Sequence, residues 1–348
     1  MLNWNGWRDT IECLESLQRI TYPNYQMIVV DNGFTDDSIE MIKEWAQGNV
    51  RVESKFFTGF GPKPVTIVEY TRPEAEAGGF DVVESQLEVL PSAQCLLLIR
   101  NDKNLGFSGG NNVAIRYALL RNYQYIALLN NDTVVTPTYL TQLIDTLEKN
   151  PDCIAVSPKI LIYEEPTKIY WAGGRIESWT GRSYYIGHGH MDNSKWSGTV
   201  KVDAFSGCCF VAKCSVFRSI GLLDEDMFFG GEEFAYGWAS KKHGFLICAN
   251  LDSIIYHKWG QSWKQKTTIS PFIAYYARKS WLICVQKYGT PLQQLLMYCF
   301  YILSRPYKFM TFLLKRNPSL LCSELKAIRD FLMGRYGDWD REHVKYHG

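Results

Sequence analysis

An apolar run, Ile126-Ala127-Leu128-Leu129, leads into Asn130-Asn131-Asp132 and then Thr133-Val134-Val135. The run reads as a buried strand with a carboxylate at its end. In α/β proteins ligands bind in the crevice beyond the carboxyl ends of the strands. An Asp held there between amides suits a hard divalent cation that bridges phosphate oxygens, because such ions accept oxygen ligands and need few from the protein. The same residues also make a turn and helix start, since Asn and Asp hydrogen-bond their own backbone and Thr136-Pro137 follows.

Either role requires a sheet around the segment. Met27-Ile28-Val29-Val30 is a short continuous apolar run of the kind that fills a buried parallel strand, and it ends at Asp31-Asn32-Gly33. A helix follows from Asp36-Asp37-Ser38, whose side chains can cap it, through Ile39, Met41, Ile42 and Trp45. Thr10–Leu17 and Asn111–Arg121 read as helices, and Leu96–Ile99 as another strand. This alternation predicts an α/β fold with a mostly parallel central sheet flanked by helices. Residues 56–91 carry Gly59, Gly61, Pro62, Pro64, Pro73, Gly78 and Gly79, and are expected to be an inserted hairpin and loop. Residues 157–221, rich in Gly, Trp and Tyr, are expected to form a mixed, partly antiparallel wall of a cleft.

Among 348 residues, 37 basic and 36 acidic side chains leave a net charge of +1. No global field points to nucleic acid, and an anionic ligand must be held locally. Ten cysteines, with Cys208-Cys209 adjacent, lack the spacing of a zinc site or disulfide frame. Reduced thiols are expected. Met1-Leu2-Asn3-Trp4-Asn5 has neither a basic leader nor an apolar run, which predicts a cytoplasmic start. Pro291–Leu314 is apolar and aromatic but is interrupted by Arg305-Pro306. Crossing a bilayer takes about 20 apolar residues, so this segment is expected to lie on a membrane surface or to close an internal groove.

With these segments placed, the chain resembles a family 2 glycosyltransferase of the GT-A, nucleotide-diphospho-sugar transferase, fold, and is most similar to rhamnosyltransferase-like members. The resemblance covers about Leu2 to Trp263. It rests on Asn3-Trp4-Asn5-Gly6, Val29-Val30-Asp31-Asn32-Gly33, Asn104 to Asn112, Leu129 to Asp132, Ser206-Gly207-Cys208-Cys209-Phe210, Gly221 to Glu225, Glu232-Glu233 and Tyr256-His257, in the family order. It implies a domain over 1–265, with a nucleotide-binding half (1–150), a mixed β acceptor half (151–265), and C-terminal helices over 266–348.

By that resemblance Asp31 accepts a hydrogen bond from the ring N–H of a uracil or thymine, and Asn3 and Asn5 line the same pocket. Asn104, Gly106, Phe107 and Asn111 belong to a Gly-rich loop and helix start near the nucleotide, where Gly106, Gly109 and Gly110 allow close approach. Asp132 takes the last, metal-binding place of an Asp-any-Asp motif whose first place is Asn130, next to Asn131. One carboxylate is therefore absent, and His257, after Ile254-Ile255-Tyr256, is a third ligand to a manganese or magnesium ion. Glu233, beside Glu232, is the candidate base for the acceptor hydroxyl. The family often has an Asp and an Arg where this chain has Ala235 and Ala239. Asp203 is placed at the donor sugar, and Trp171, Gly173 and Gly174, with Trp179, Tyr184 and Tyr185, on the acceptor side.

The implied activity is an inverting, metal-dependent transfer from dTDP-rhamnose or a UDP-hexose to a glycan or lipid-linked glycan. The enzyme would be peripheral on the inner face of the cell membrane through 270–335. A sugar-phosphate nucleotidyltransferase would carry a Gly-rich basic loop after the first strand, which Trp4-Asn5-Gly6-Trp7-Arg8 is not. A glycan-binding scaffold without turnover is the non-enzymatic alternative. Relatives also have several apolar residues before the Asn-any-Asn segment. A first strand reduced to Met1-Leu2 is expected to leave backbone groups unpaired at the nucleotide pocket.

Overall fold

The computed structural model describes residues 1–33, 35–258, 270–314 and 317–337. The first part alternates as the apolar runs predict: β1 (Leu2–Asn3), α1 (Trp7–Leu17), β2 (Met27–Asp31), α2 (Ser38–Gln47), β3 (Thr66–Thr71), α3 (Arg72–Glu76), α4 (Asp81–Glu88), β4 (Cys95–Arg100) and α5 (Gly106–Leu120). Their strands form a parallel sheet in the order β1-β2-β4-β3. Cys95 to Ile99 are all buried, because helices cover both faces of this strand.

Residues 56–91 are not a hairpin. They contribute the parallel edge strand β3, in register Ile67↔Leu96 and Tyr70↔Ile99, and two short helices. An edge strand with mostly part-exposed side chains carries little apolar signal. Its anchors are polar: Tyr70 and Tyr117 both donate their hydroxyls to the buried Glu84 carboxylate, at 2.8 and 2.7 Å.

β1 is short, but its ladder is complete at the pocket end. Val30 N–H donates to Met1 O at 2.8 Å, Asn32 N–H donates to Asn3 O at 2.9 Å, and Leu2 bridges to Asn130. The gap lies at the opposite end, where a cavity of about 520 Å³ opens beside Met1, lined by Met27, Ile28, Ile126 and Leu128. The expected unpaired groups at the nucleotide pocket are thus not found there.

The second sheet comprises β5 (Tyr125–Leu129), β6 (Thr133–Val135), β7 (Cys153–Ile162), β8 (Glu165–Trp171), β11 (Thr199–Val202), β12 (Cys209–Lys213) and β13 (Leu246–His257). A separate hairpin pairs β9 (Gly174–Ile176) with β10 (Ser183–Tyr185). Helices α6 (Tyr139–Lys149), α7 (Cys214–Ile220) and α8 (Glu232–Lys242) connect the strands. The order is β11-β13-β7-β12-β5, mixed in direction as expected for 157–221. Two registers matter for chemistry. Antiparallel pairing sets His257 opposite Thr133, and sets Cys209 opposite Leu129.

Three further helices follow: α9 (Pro271–Tyr288), α10 (Pro291–Leu314) and α11 (Pro318–Leu332). α10 is continuous through Pro306. The three helices meet around Glu324, which is paired with Arg278, Arg305 and Lys308. Ala235 of α8 is buried with Met227, Ile283 and Cys284.

Candidate active site

The strand registers place Asp132 and His257 side by side. His257 Nε2 lies 3.2 Å from Asp132 Oδ2, and Lys258 N–H donates to Asp132 O at 2.9 Å. Burial works against the Asp132 charge, but His257 outweighs it and holds the carboxyl below its ordinary range. Tyr170 meets the imidazole edge-on, with ring centroids 5.0 Å apart. Asn131 ties the turn to α1, donating to Thr10 Oγ1 at 3.0 Å. Asn130 is held by its backbone, its N–H donating to Cys208 O at 2.8 Å and its carbonyl accepting from Thr133 Oγ1 at 2.7 Å.

That bond to Cys208 leads to the second acidic group. Glu232 and Glu233 open α8 after Gly230 and Gly231, and both are buried. A Cβ on Gly207 would stand 3.6 Å from Glu232 Oε1 and 3.9 Å from Glu233 Oε2, so the Ser206-Gly207-Cys208 turn runs against both carboxyls. Burial raises both, and the charge of Glu233 pushes Glu232 well above the usual range. The rise is the larger for Glu232. The two carboxyls titrate as one coupled pair, and both are held above the ordinary carboxylate range.

The tyrosine and cysteine between the two acidic groups tie them together. Burial first raises the Tyr170 hydroxyl and the Cys208 thiol, and both Asp132 and Glu233 raise them further. Tyr185 packs edge-on to Tyr170 at 5.7 Å. Sequence reasoning gave Tyr170 no role, since it is one of 21 tyrosines and carries no motif.

The nucleotide-side residues are gathered at the carboxyl ends of β1 and β2. Asn3 is buried and paired to the buried Asp31 across the strands, and its Oδ1 accepts from Thr10 Oγ1 at 2.9 Å. Asn5 exchanges hydrogen bonds with Thr35, donating to Oγ1 at 2.9 Å and accepting from N–H at 2.8 Å. Asn32, which the sequence reading left without a role, donates to Asn104 Oδ1 at 2.9 Å and accepts from Leu105 N–H at 3.1 Å.

The Gly-rich segment differs from expectation. Gly106 N–H donates to Asn104 Oδ1, Phe107 N–H donates to Phe228 O, and Asn111 donates to Phe107 O, so these groups serve the loop itself. A Cβ on Gly106 (φ +73°) would fall 2.4 Å from Phe228 O, and one on Gly110 would fall 2.5 Å from Leu2 Cδ1. These glycines admit neighbouring protein rather than open space. The cause is the helix start, which lies five residues earlier than predicted, at Gly106.

The acceptor-side assignment of Trp171 also needs correction. Trp171 is wholly buried in the main core and has no face for a sugar. Gly173 and Gly174 abut Val202, Ile186 and Ala204. Asp203 Oδ2 accepts from Ile176 N–H at 2.9 Å, bracing the β9–β10 hairpin. The aromatics left open on or beside that hairpin are Trp179, Tyr184 and Tyr185.

The profile of glycosyl transferase family 2 matches residues 1–61 and 83–221, more than half of the chain. The chain belongs to this family. Among relatives, it is 28% identical over 163 residues to the low-salt glycan biosynthesis hexosyltransferase Agl10 of Haloferax volcanii, covering 43% of this chain and 48% of that protein. It is 24% identical over 144 residues to hyaluronan synthase 2 of Rattus norvegicus, covering 40% of this chain and 24% of that protein. The chain thus spans about half the length of the first relative and a quarter of the second. Solved structures similar to it include a Pyrobaculum calidifontis mannosyltransferase in complex with GDP-Man and Mn2+ (TM-score 0.47, 13% identity, 94% of this chain and 86% of that one). Residues 1–349 of Staphylococcus aureus TarS are also similar (TM-score 0.48, 11% identity, 96% and 81%).

The fold of this family 2 chain is α/β, with a parallel sheet, a mixed sheet and flanking helices. Its Asp132–His257 pair could hold a divalent cation. Two ligands about 2.1 Å from an ion and at right angles are roughly 3 Å apart, close to the observed 3.2 Å. Among the described residues no cluster of three or more His, Cys, Asp or Glu side chains is placed to hold a metal. The pair would leave most coordination positions to phosphate oxygens and water. A mixed carboxylate and imidazole set suits manganese at least as well as magnesium.

Proposed function

We propose that the protein is an inverting, metal-dependent hexosyltransferase. It uses a pyrimidine nucleoside diphosphate sugar, a UDP-hexose or dTDP-rhamnose, and a glycan hydroxyl as acceptor. The observation that carries this reading is that one turn, Ser206-Gly207-Cys208, borders the Glu232–Glu233 pair on one side and is hydrogen-bonded on the other to Asn130, at the head of the Asn130-Asn131-Asp132 turn that meets His257. Transfer of a sugar from a diphosphate with inversion needs both kinds of group in one cleft: an anion-neutralising end and a proton-accepting end. The hexosyltransferase name of the Haloferax relative agrees with a hexosyl donor.

In this reading Asp132 and His257 hold the cation, whose chemistry is to neutralise charge on the departing diphosphate. Asp31 receives the base N–H, with Asn3 and Asn5 beside it. Glu233 removes the acceptor proton as the hydroxyl attacks the anomeric carbon from the face opposite the diphosphate. The glycosidic C–O bond forms as the bond to the diphosphate oxygen breaks, and the proton ends on Glu233. Glu232 stays protonated and keeps its neighbour ionised. Tyr185 and Trp179 offer ring faces to the acceptor. The Ala235 departure does not empty the site, because that position faces Ile283 and Cys284 instead.

The test is a screen of UDP- and dTDP-sugars with manganese, reading nucleotide release with and without glycan acceptors. Tight nucleotide binding with no release from any donor would favour the scaffold alternative, and no binding of either nucleotide would reject the reading.

A further inference from the structure

α10 has an apolar face that nothing in the described chain covers. Leu292, Leu296, Leu303, Met310 and Leu314 follow at spacings of four and seven and stand on one side of the helix, while Met297 and Tyr301 are buried on the other. Leu303 is 80% exposed and Leu314 76%. The face runs the length of the helix, about 36 Å at 1.5 Å per residue.

Charge says what covers it. Residues 270–335 hold ten Lys and Arg against two Asp and Glu, whereas the whole chain nets +1, so the remainder nets −7. α10 itself contains no acidic residue, and Lys315 and Arg316 follow it in sequence. Three cations, Arg278, Arg305 and Lys308, share the single carboxylate of Glu324. An apolar stripe on a segment of concentrated positive charge is the pattern of a helix lying in the headgroup layer of an anionic bilayer. A second copy of the same chain would bring the same positive charge against itself. Among the described residues no helix is long and apolar enough to cross a membrane, so the helix lies along the surface.

The helix also adjoins the β9–β10 hairpin. Trp179 meets Phe300 of α10 edge-on at 5.6 Å and Arg182 stacks over the same ring at 4.9 Å, while Trp281 of the neighbouring α9 donates its Nε1–H to Gly181 O at 3.2 Å. Tyr185 of the same hairpin packs edge-on to Tyr170, which in turn meets His257. From the apolar stripe, the acidity gradient and this contact we infer that α10 seats the enzyme on an anionic lipid surface. If the Asp132–His257 corner belongs to the active site, as proposed above, the hairpin leads from that surface to it, which suits an acceptor whose aglycone stays in the bilayer.

Co-sedimentation with vesicles tests the surface without using turnover. The full chain is expected to pellet with phosphatidylcholine vesicles containing roughly a quarter phosphatidylglycerol, and weakly with phosphatidylcholine alone. The Leu303→Glu, Leu314→Glu double variant should partition roughly tenfold less or worse, with unchanged thermal midpoint and UDP binding. Leu292→Glu is the second variant should the double one fold poorly. Wild type remaining in the supernatant with both vesicle types, or variants that pellet equally well, would overturn the inference. A wild-type dimer in sedimentation velocity that the variants convert to monomer, without vesicle binding, would assign the face to a second copy instead.

Discussion

His257 Nε2 reaches Asp132 Oδ2 at 3.2 Å because β13 and β6 pair antiparallel with His257 opposite Thr133, the residue after Asp132. Residues 125 positions apart thereby meet in one corner of the fold. Asp132→Ala should abolish metal-dependent nucleotide binding, and His257→Ala should weaken it by roughly 10–100-fold. Calorimetric titration of UDP or dTDP with and without manganese measures both. A His257→Ala variant with wild-type manganese dependence would remove the imidazole from the ligand set.

The Glu232–Glu233 pair predicts a pH profile. Both carboxyls are raised by burial, so the acid limb of kcat/KM should lie above the ordinary glutamate value of about 4.3. Glu233→Gln should lose turnover by roughly 100-fold or more while keeping nucleotide affinity. Glu232→Gln should keep measurable turnover and shift the acid limb, because Gln still donates a hydrogen bond but cannot carry the shared proton. Wild-type turnover in Glu233→Gln would move the base to Glu232.

For Glu232 the folded value lies above the unfolded one, so the fold favours its protonated form. That contribution is complete below about pH 4.3 and is lost as pH rises through the folded value. Replacing it with the neutral Gln should therefore raise the thermal midpoint at pH 8 and leave it nearly unchanged at pH 4. The opposite pH pattern in scanning calorimetry would contradict the assignment.

Glu324 behaves in the reverse sense. Burial opposes its ionisation, but Arg278 and Lys308 outweigh that and hold it below the ordinary range. The stabilisation is present above about pH 4.3 and lost as pH falls through the lower folded value. Glu324→Gln leaves three cations gathered without a counter-charge and should cost about 3–5 kcal/mol in chemical denaturation at pH 7. Its loss should shrink progressively as pH falls below about 4.3.

Trp171 separates packing from acceptor binding. It is buried in the main core, so Trp171→Ala should cost about 3–5 kcal/mol of stability. Trp171→Phe should leave the KM for the acceptor unchanged, whereas Trp179→Ala should raise it. A raised acceptor KM in Trp171→Phe would restore the acceptor-side assignment.

The sequence by itself determined the parallel sheet, through continuous apolar runs such as Met27–Val30 and Leu96–Ile99, and marked Asp132 and His257 as strand-end polar groups. Such signals are local: burial on both faces dictates composition along a few consecutive residues. It also marked Glu232-Glu233, but through motif order and not through any physical pattern. Tertiary structure alone decided that β3 is a parallel edge strand, because half-exposed strands with polar anchors leave no apolar run. It alone buried Trp171 and turned Gly106 toward Phe228, since an aromatic or a glycine has the same sequence signature in a core, a loop or a cleft. And it alone set Tyr170 against His257 and Cys208 against Asn130, a consequence of strand register, which no single segment encodes.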